Sequence, residues 1–361
     1  MAVTPTLDDL RRHAVARSLF TPTSLPRAIA KLGFVQADPI RAPARTQDLT
    51  LRHRVKDYHA GELERRYARL AVEEDFFVNY GFLPRRTWAL MHPRAPARSW
   101  TAERERQSRA VLDFVCERGC VHPQDVDAQF AHGKVKNWFG GSSNASTQLL
   151  DAMHYRGLLR VARREGGVRL YAPAAPHAAP DDPAAAYDAL ADVVVAKYAP
   201  LPERSLAELV LRLRIAVPQW GHERSAALKR AKARLPSMRI DGVNWYWPAG
   251  ENPASARHRV ADAVRLLAPF DPVVWDRRRF EALWGWAYRF EAYTPPPQRV
   301  RGYYALPLLW RDRVIGWGNL AVREGRLAAD IGYVAGKAPR DAAFRRALDA
   351  ELHAMGVFLG L

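Results

Sequence analysis

An order of three helices followed by a β-hairpin constrains this chain more than any other feature. Apolar residues at helical spacing predict helices over 102–119 and 122–130, and a third helix stops at Gly157. Alternating residues then flank Gly166–Gly167, which predicts two strands joined by a tight turn. This is the order of a winged helix, whose third helix can enter the major groove of DNA while the hairpin rests on the backbone.

The same order returns after an Ala/Pro/Asp-rich linker at 173–183. Helices are predicted over Ala184–Tyr198, from Ser205 onward and over His222–Leu235, and Asp241–Gly242 is a strong hairpin-turn signal. A winged helix can bind DNA, but it can also be a protein-interaction module. The repeat therefore predicts tandem winged helices and leaves both kinds of partner open.

The N-terminal part is predicted to be a first winged-helix-like unit. Residues Asp57–Arg94 are rich in apolar and aromatic side chains, which predicts a mostly helical core. Prolines and arginines interrupt the pattern in segment 95–99, which marks a boundary.

The C-terminal part has a different character. Alternating segments over 288–293, 300–309, 313–322 and 326–333 predict a small antiparallel sheet or barrel, with a final amphipathic helix over Pro339–Phe358. The predicted fold class is α+β, with tandem winged-helix domains in three helical units and this C-terminal β-barrel or sheet. The predicted domains are 1–98, 99–175, 184–250 and 258–361.

The charge of the chain indicates the class of partner. Lysine and arginine number 55 against 38 aspartates and glutamates, which gives a formal net charge of +17 and makes nucleic acid the first candidate. Any one of these cations can also belong to a merely solvated face. The predicted DNA-binding residues are Arg41, Arg45, Arg52, Arg54, Arg160, Arg163, Arg164 and Arg230.

The two cysteines and the termini indicate the compartment. Cys116 and Cys120 lie one helical turn apart with no further cysteine to complete a metal site, so we interpret them as buried or idle thiols of a reducing environment. The N-terminus lacks the apolar core of a signal peptide, and no run of about 18 apolar residues occurs. The sequence predicts a cytoplasmic, nucleoid-associated protein without metal or cofactor, and nothing in it demands a dimer.

Gln36 and Asp38 are the candidate catalytic residues. If Phe34–Asp38 is a strand, these two side chains point to the same side of it, because side chains alternate faces with a period of two. A carboxylate beside a carboxamide can accept a proton from a water and hold that water in place, as general-base hydrolysis requires. A strand-ending turn is the other interpretation, because Asp-Pro is a common turn signal.

Four segments of the chain resemble the winged-helix DNA glycosylase family of the AlkZ and YcaQ type. They are LGFVQAD at 32–38, TLRHRV at 50–55, PFDPVVWDRRR at 269–279 and GYYALP at 302–307. The resemblance implies tandem winged helices and a C-terminal barrel around a concave basic surface, with Gln36 and Asp38 as the catalytic pair. It also implies the Gln-x-Asp branch, which is associated with crosslink unhooking and broad lesion tolerance. Pro39 departs from the Thr or Ser expected after the pair.

The resemblance implies hydrolysis of the N-glycosidic bond of cationic purines alkylated at N7 or N3. Asp38 would stabilise the oxocarbenium-like sugar and act as general base, while Gln36 positions the water. The sequence has no helix-hairpin-helix motif with a partnered lysine, which predicts a monofunctional enzyme. A non-catalytic winged-helix regulator and a protein scaffold are the alternatives.

Trp275, Asp276 and Arg277 have two possible roles. They could belong to a buried Asp–Arg network that seats the C-terminal domain, or they could form a pocket wall facing the lesion. The sequence alone leaves both readings open.

Overall fold

The computed structural model describes residues 4–95, 99–131, 133–136 and 142–361. The chain divides into two compact units. The first comprises Met1–Leu63, Ala191–Val210 and Leu228–Leu361, and the second comprises Glu64–Leu190 and Leu211–Ala227. Within the described ranges, no helix has the length and apolar character needed to cross a membrane.

Helices and strands are interspersed along the described residues. The helices are α1 Leu7–Ser18, α2 Leu25–Leu32, α3 Thr46–Leu51, α4 Glu62–Arg66, α5 Arg85–Ala89, α6 Ala102–Arg118, α7 Pro123–Phe130, α8 Ala145–Arg156, α9 Pro183–Tyr198, α10 Glu203–Arg212, α11 Arg224–Arg234, α12 Arg277–Trp284 and α13 Ala342–Leu359. The strands are β1 Val35–Gln36, β2 Val72–Phe76, β3 Tyr80–Pro84, β4 Lys134–Lys136, β5 Ser142–Asn144, β6 Leu159–Glu165, β7 Val168–Pro173, β8 Leu201–Pro202, β9 Ser237–Ile240, β10 Val243–Tyr246, β11 Val264–Leu266, β12 Leu306–Trp310, β13 Arg313–Arg323 and β14 Arg326–Tyr333.

The second unit contains the predicted winged helix. Helices α6, α7 and α8 are followed by the antiparallel hairpin β6–β7. Helix α8 ends at Gly157, whose φ of 81° requires the left-handed conformation that glycine adopts at low cost. A Cβ atom at this position would collide with the ring of His92. The helix–helix–helix–hairpin order is thus confirmed here, although residues 137–141 of the Gly/Ser-rich connection lie outside the described ranges.

The mostly helical interpretation of Asp57–Arg94 is wrong. Residues Val72–Pro84 form the antiparallel hairpin β2–β3, in which Val72 pairs with Pro84 and Phe76 with Tyr80. The many apolar residues of this segment favour a helical core by sequence pattern alone. In the structure both faces of β2 are buried, and its three consecutive acidic side chains are paired with arginine or histidine. The boundary predicted at 95–99 includes residues 96–98, which lie outside the described part of the chain.

The first unit begins with two capped helices that lead to the candidate catalytic pair. Thr6 caps α1 reciprocally with Asp9, and α2 ends at Gly33 in the left-handed conformation. Strand β1 follows within two residues. The predicted turn at Asp241–Gly242 is also present, with φ values of 49° and 78° at its two residues, and it joins β9 to β10.

The C-terminal region of the first unit is a four-stranded antiparallel sheet in the order β11–β12–β13–β14. This confirms the predicted sheet, although the strand predicted over 300–309 begins only at Leu306, and α13 confirms the final helix. The predicted strand at 288–293 is absent, because Glu291 and three prolines at 295–297 shape that segment into a loop. A core cluster that includes Val15, Val274, Phe280 and Leu309 joins α1, α12 and this sheet.

Candidate active site

Gln36 is held in place by Trp275. The carboxamide oxygen of Gln36 accepts a hydrogen bond of 2.7 Å from the indole Nε1 of Trp275, and only 5% of Gln36 is exposed. The Trp275 ring in turn packs on Tyr198, with ring centroids 5.2 Å apart. Because an indole nitrogen can only donate, this contact fixes the orientation of the carboxamide and turns its NH₂ group toward other acceptors.

Asp38 lies just beyond β1 and is half-buried. Its carboxylate Oδ1 accepts the backbone N–H of Ile40 at 2.9 Å, which closes a local turn around Pro39. Its own N–H donates to the side-chain oxygen of Gln47, at 3.3 Å, on α3. Burial raises the pKa of Asp38, and the Ile40 hydrogen bond only partly opposes that change. A carboxylate with a raised pKa is a stronger base than an exposed one.

Lys197 contacts the backbone immediately before strand β1. Its ammonium group is buried, donates to the backbone oxygen of Phe34, and lies 5.2 Å from the centroid of the Tyr198 ring. Burial, reinforced by the positive charge of Arg54, lowers the pKa of Lys197 to about 7. The lysine therefore anchors the backbone two residues before Gln36.

Arg54 and Asp271 form a buried ion pair, with 0% exposure of either residue. Two guanidinium nitrogens donate to the two Asp271 oxygens at 2.8 and 3.0 Å. The remaining donors of Arg54 bind the backbone oxygens of Ser18 and Thr50. Every guanidinium nitrogen of Arg54 is thus buried and hydrogen-bonded inside the first unit, so this arrangement offers no support for the phosphate contact that the sequence predicts for Arg54.

Arg52 has a similar position. Its guanidinium pairs with Glu351 of α13, and both side chains are almost fully buried. Because the guanidinium is buried against Glu351, the structure offers no support for the phosphate contact predicted for Arg52 either. The segment 50–55 instead ties the N-terminal helices to the C-terminal sheet and helix of the first unit.

The residues of the segment 275–277 have different roles: one contacts Gln36 and the other two support the local structure. Trp275 binds Gln36, as described above. Asp276 caps α12 by accepting the N–H groups of Arg278 and Arg279 at 3.1 Å each. Arg277 donates to the backbone oxygen of Val274, and its guanidinium lies 4.5 Å from the centroid of the Tyr288 ring. The cap and the arginine thus hold Trp275 in place beside Gln36.

The other arginines predicted to bind DNA occupy varied positions. In the second unit Arg160 pairs with Glu73, Arg164 with Glu74, and the exposed Arg163 with Glu165 on the wing. In the first unit Arg41 is exposed, and Arg45 and Arg230 are half-buried. Arg41 and Arg45 face each other across a β-bridge that shapes the loop after Asp38.

An open cleft of about 790 Å³ lies beside this loop. Its lining includes Arg41, Pro43, Tyr304, Asn319 and Asp330. Burial raises the pKa of the Tyr304 hydroxyl, and the negative charge of Asp38 raises it further, so Tyr304 stays a neutral donor. The Thr46 hydroxyl lies close enough to the Tyr304 hydroxyl to oppose part of this rise in pKa.

Sequence reasoning did not select Gln47, Thr46 or Tyr304. The signal for Tyr304 was the GYYALP segment, but alternation could not show which of the two tyrosines points inward. Thr46 and Gln47 begin α3 shortly after Asp38, and only the turn at Asp38–Ile40 brings them near the candidate pair.

The fold has a known counterpart among enzymes that act on DNA. The structure of the Streptomyces sahachiroi DNA glycosylase AlkZ aligns with a TM-score of 0.64 and covers 99% of this chain and 98% of that chain. Sequence identity is 14%, so this likeness shows the fold.

The sequence carries the family assignment. The model of the family described as "DNA glycosylase AlkZ-like" matches residues 29–358, which is most of the chain. The chain belongs to the AlkZ-like DNA glycosylase family. It is therefore an enzyme of the DNA glycosylase class, and DNA is its partner.

Proposed function

We propose that this glycosylase is monofunctional and hydrolyses the N-glycosidic bond of cationic purines alkylated at N7 or N3, with Gln36 and Asp38 as the catalytic residues. The observation that carries the proposal is the pairing of a carboxamide fixed by Trp275 with a half-buried carboxylate of raised pKa. The carboxamide of Gln36 is fixed in orientation and positions the water, whereas the Asp38 carboxylate accepts the proton.

The chemistry needs little help at the leaving group. Alkylation leaves the purine cationic, so the electrons of the C1′–N bond neutralise it as the bond breaks. The Asp38 carboxylate stabilises the positive charge on the sugar and accepts a proton from the attacking water, whose oxygen bonds to C1′. The Gln36 NH₂ group donates a hydrogen bond to one lone pair of this water, so the second lone pair of the water oxygen can attack C1′.

The position of Lys197 supports a monofunctional enzyme. A bifunctional glycosylase uses an amine nucleophile on C1′. Lys197 is buried, and its amine is engaged with the Phe34 backbone oxygen. We therefore infer that the product is an abasic site in an intact strand.

The same residues support assignment to the Gln-x-Asp branch. The cleft next to Tyr304 is open to solvent and is large enough for a bulky adduct, so we propose that unhooking of interstrand crosslinks accompanies excision of simple adducts. The net charge of +17 suits a monomer that acts on nucleoid DNA in the cytoplasm.

A panel of lesions tests the proposal. Duplexes carrying N7-methylguanine, N3-methyladenine or a mustard-type crosslink are incubated with the protein, and released base and strand breaks are measured separately. We expect free base from each lesion and strand breaks only after alkali. Strand cleavage without alkali would contradict monofunctional hydrolysis, and release from none of the cationic lesions would contradict the substrate class.

The regulator alternative makes a different prediction. Selection of bound fragments from undamaged DNA would then yield a sharp, palindromic sequence motif, because winged-helix dimers read paired half-sites. We expect instead weak, salt-dependent binding without a sequence motif.

A further inference from the structure

Residues 289–303 of the first unit form an exposed loop, here called the Tyr293 loop, between α12 and β12. It carries Tyr293 and Val300, which are 81% and 77% exposed. The other exposed large hydrophobic side chains of the described chain are half-exposed at most. Two large apolar side chains that extend into solvent from one loop indicate a surface for a partner.

The loop is rigidly held. The Glu291 carboxylate accepts the N–H groups of Arg301 and Gly302 at 2.8 and 3.2 Å, which joins the two ends of the loop. Arg299 donates to the Thr294 backbone oxygen at 2.8 Å across its middle. Three consecutive prolines at 295–297 restrict the backbone further. The conformation that presents the two apolar side chains is therefore formed before any partner binds, which lowers the entropic cost of binding.

A chain of aromatic contacts joins the loop to the cleft. The Phe290 ring lies 6.0 Å from the Tyr293 ring and 5.3 Å from the Tyr304 ring. Tyr304 lines the cleft and is close enough to Asp38 to feel its charge. The exposed tyrosine is thus two ring contacts away from a residue of the catalytic site.

The charges around the loop match a polyanion. Arg289 is exposed, and the guanidinium of Arg299 lies 5.1 Å from the centroid of the exposed Tyr303 ring. Apolar and aromatic side chains surrounded by arginines are the combination that inserts into a base stack while cations contact the phosphates. A protein partner would require an acidic surface with an apolar pocket, and nothing in the loop favours that over DNA.

We propose that Tyr293 and Val300 form a wedge that enters the base stack of duplex DNA and fills the space left by the extruded lesion nucleotide. This inference rests on the proposed function. While the lesion is stacked inside the duplex, its C1′ cannot reach the half-buried Asp38 carboxylate, so the nucleotide must leave the stack. A rigid apolar wedge beside the cleft stabilises the gap by replacing the lost stacking with contacts to Tyr293 and Val300.

The test compares two substrates. N7-methylguanine is placed opposite cytosine in a continuous duplex, or in a single-nucleotide bulge where it is already unstacked. Single-turnover excision is measured for wild type, for the double variant Tyr293→Ala/Val300→Ala, and for Val357→Ala, a half-exposed control on α13. We expect the double variant to lose about five-fold or more on the paired lesion, as the loss of one stacked base implies. We expect a much smaller loss on the bulge and none for the control.

Other outcomes would overturn the wedge. Equal losses on both substrates would mean that the loop supports DNA binding or folding in general. Undiminished excision of the paired lesion would mean that the exposed side chains serve another partner, such as a protein.

A second readout separates this proposal from the proposed function. Wild-type protein that excises neither lesion would contradict the proposed function. The wedge would then be tested by the fluorescence of 2-aminopurine placed next to the lesion, which rises on unstacking. We expect protein binding to raise this fluorescence for wild type and not for the double variant, and an equal rise for both would overturn the wedge.

Discussion

The hydrogen bond between Trp275 and Gln36 gives the sharpest test of how the site is built. The change Trp275→Phe keeps an aromatic ring against Tyr198 but removes the indole N–H that donates to Gln36 over 2.7 Å. A neutral hydrogen bond contributes about 0.5–1.5 kcal/mol net. If this free energy serves to orient the carboxamide in the transition state, its loss lowers the excision rate roughly two- to ten-fold, since about 1.36 kcal/mol corresponds to a factor of ten.

The assay is single-turnover release of N7-methylguanine from duplex DNA. The matched control is Trp284→Phe, at the last residue of α12, which removes an indole hydrogen bond of 2.8 Å to the backbone oxygen of Asp312. Both variants should lose a similar free energy of unfolding in urea, while only Trp275→Phe slows excision. Equal excision rates for the two variants would refute the role of Trp275 as the residue that positions Gln36.

Three further predictions follow from the buried and titrating groups. Asp271→Asn leaves the buried guanidinium of Arg54 without its counter-ion, so the free energy of unfolding should fall by about 3–5 kcal/mol in urea. Asp262→Asn, in the exposed pair with Arg311, should leave the free energy of unfolding almost unchanged, and similar losses for the two variants would contradict a special role of the buried pair. The pKa of Lys197 is about 7 in the folded protein and 10.5 for an ordinary lysine, so the unfolded chain binds more protons between these two pH values. The free energy of unfolding of wild type, measured relative to Lys197→Met, should therefore rise with pH across that window. A difference that does not change with pH would refute the lowered pKa. Because the pKa of Asp38 is raised, kcat/KM on N7-methylguanine should fall with decreasing pH at a higher pH than an ordinary aspartate would produce, and an acid limb in the usual aspartate range would contradict that assignment.

Much of the fold follows from local signals in the sequence. The cap at Thr6, the glycines that end helices and the Asp241–Gly242 turn act within a few residues, so their effects can be predicted without tertiary structure. The β2–β3 hairpin was missed because its acids, including Glu73 and Asp75, are buried only by virtue of arginine and histidine partners elsewhere in the second unit.

The sequence predicted only part of the candidate site, because some of its contacts join distant residues. The alternation expected over Phe34–Asp38 selected Gln36 and Asp38, although strand β1 ends at Gln36 and Asp38 lies in the turn after it. Trp275 lies 239 residues from Gln36, and their contact exists only in the folded protein. The amino-acid composition gives the number of charged residues but does not show which of them are paired or buried. It could not distinguish Arg54, whose donors are all engaged in the interior, from the exposed Arg41.

The most direct test of the account is the release of free N7-methylguanine by Asp38→Asn. The variant preserves the size of the side chain and an oxygen that can accept the Ile40 N–H, but it removes the charge and the base. We expect single-turnover release to fall by about 10²-fold or more relative to wild type and to the Asp262→Asn control, with the free energy of unfolding little changed. Undiminished release by a folded Asp38→Asn variant would contradict the assignment of Asp38 as the catalytic base.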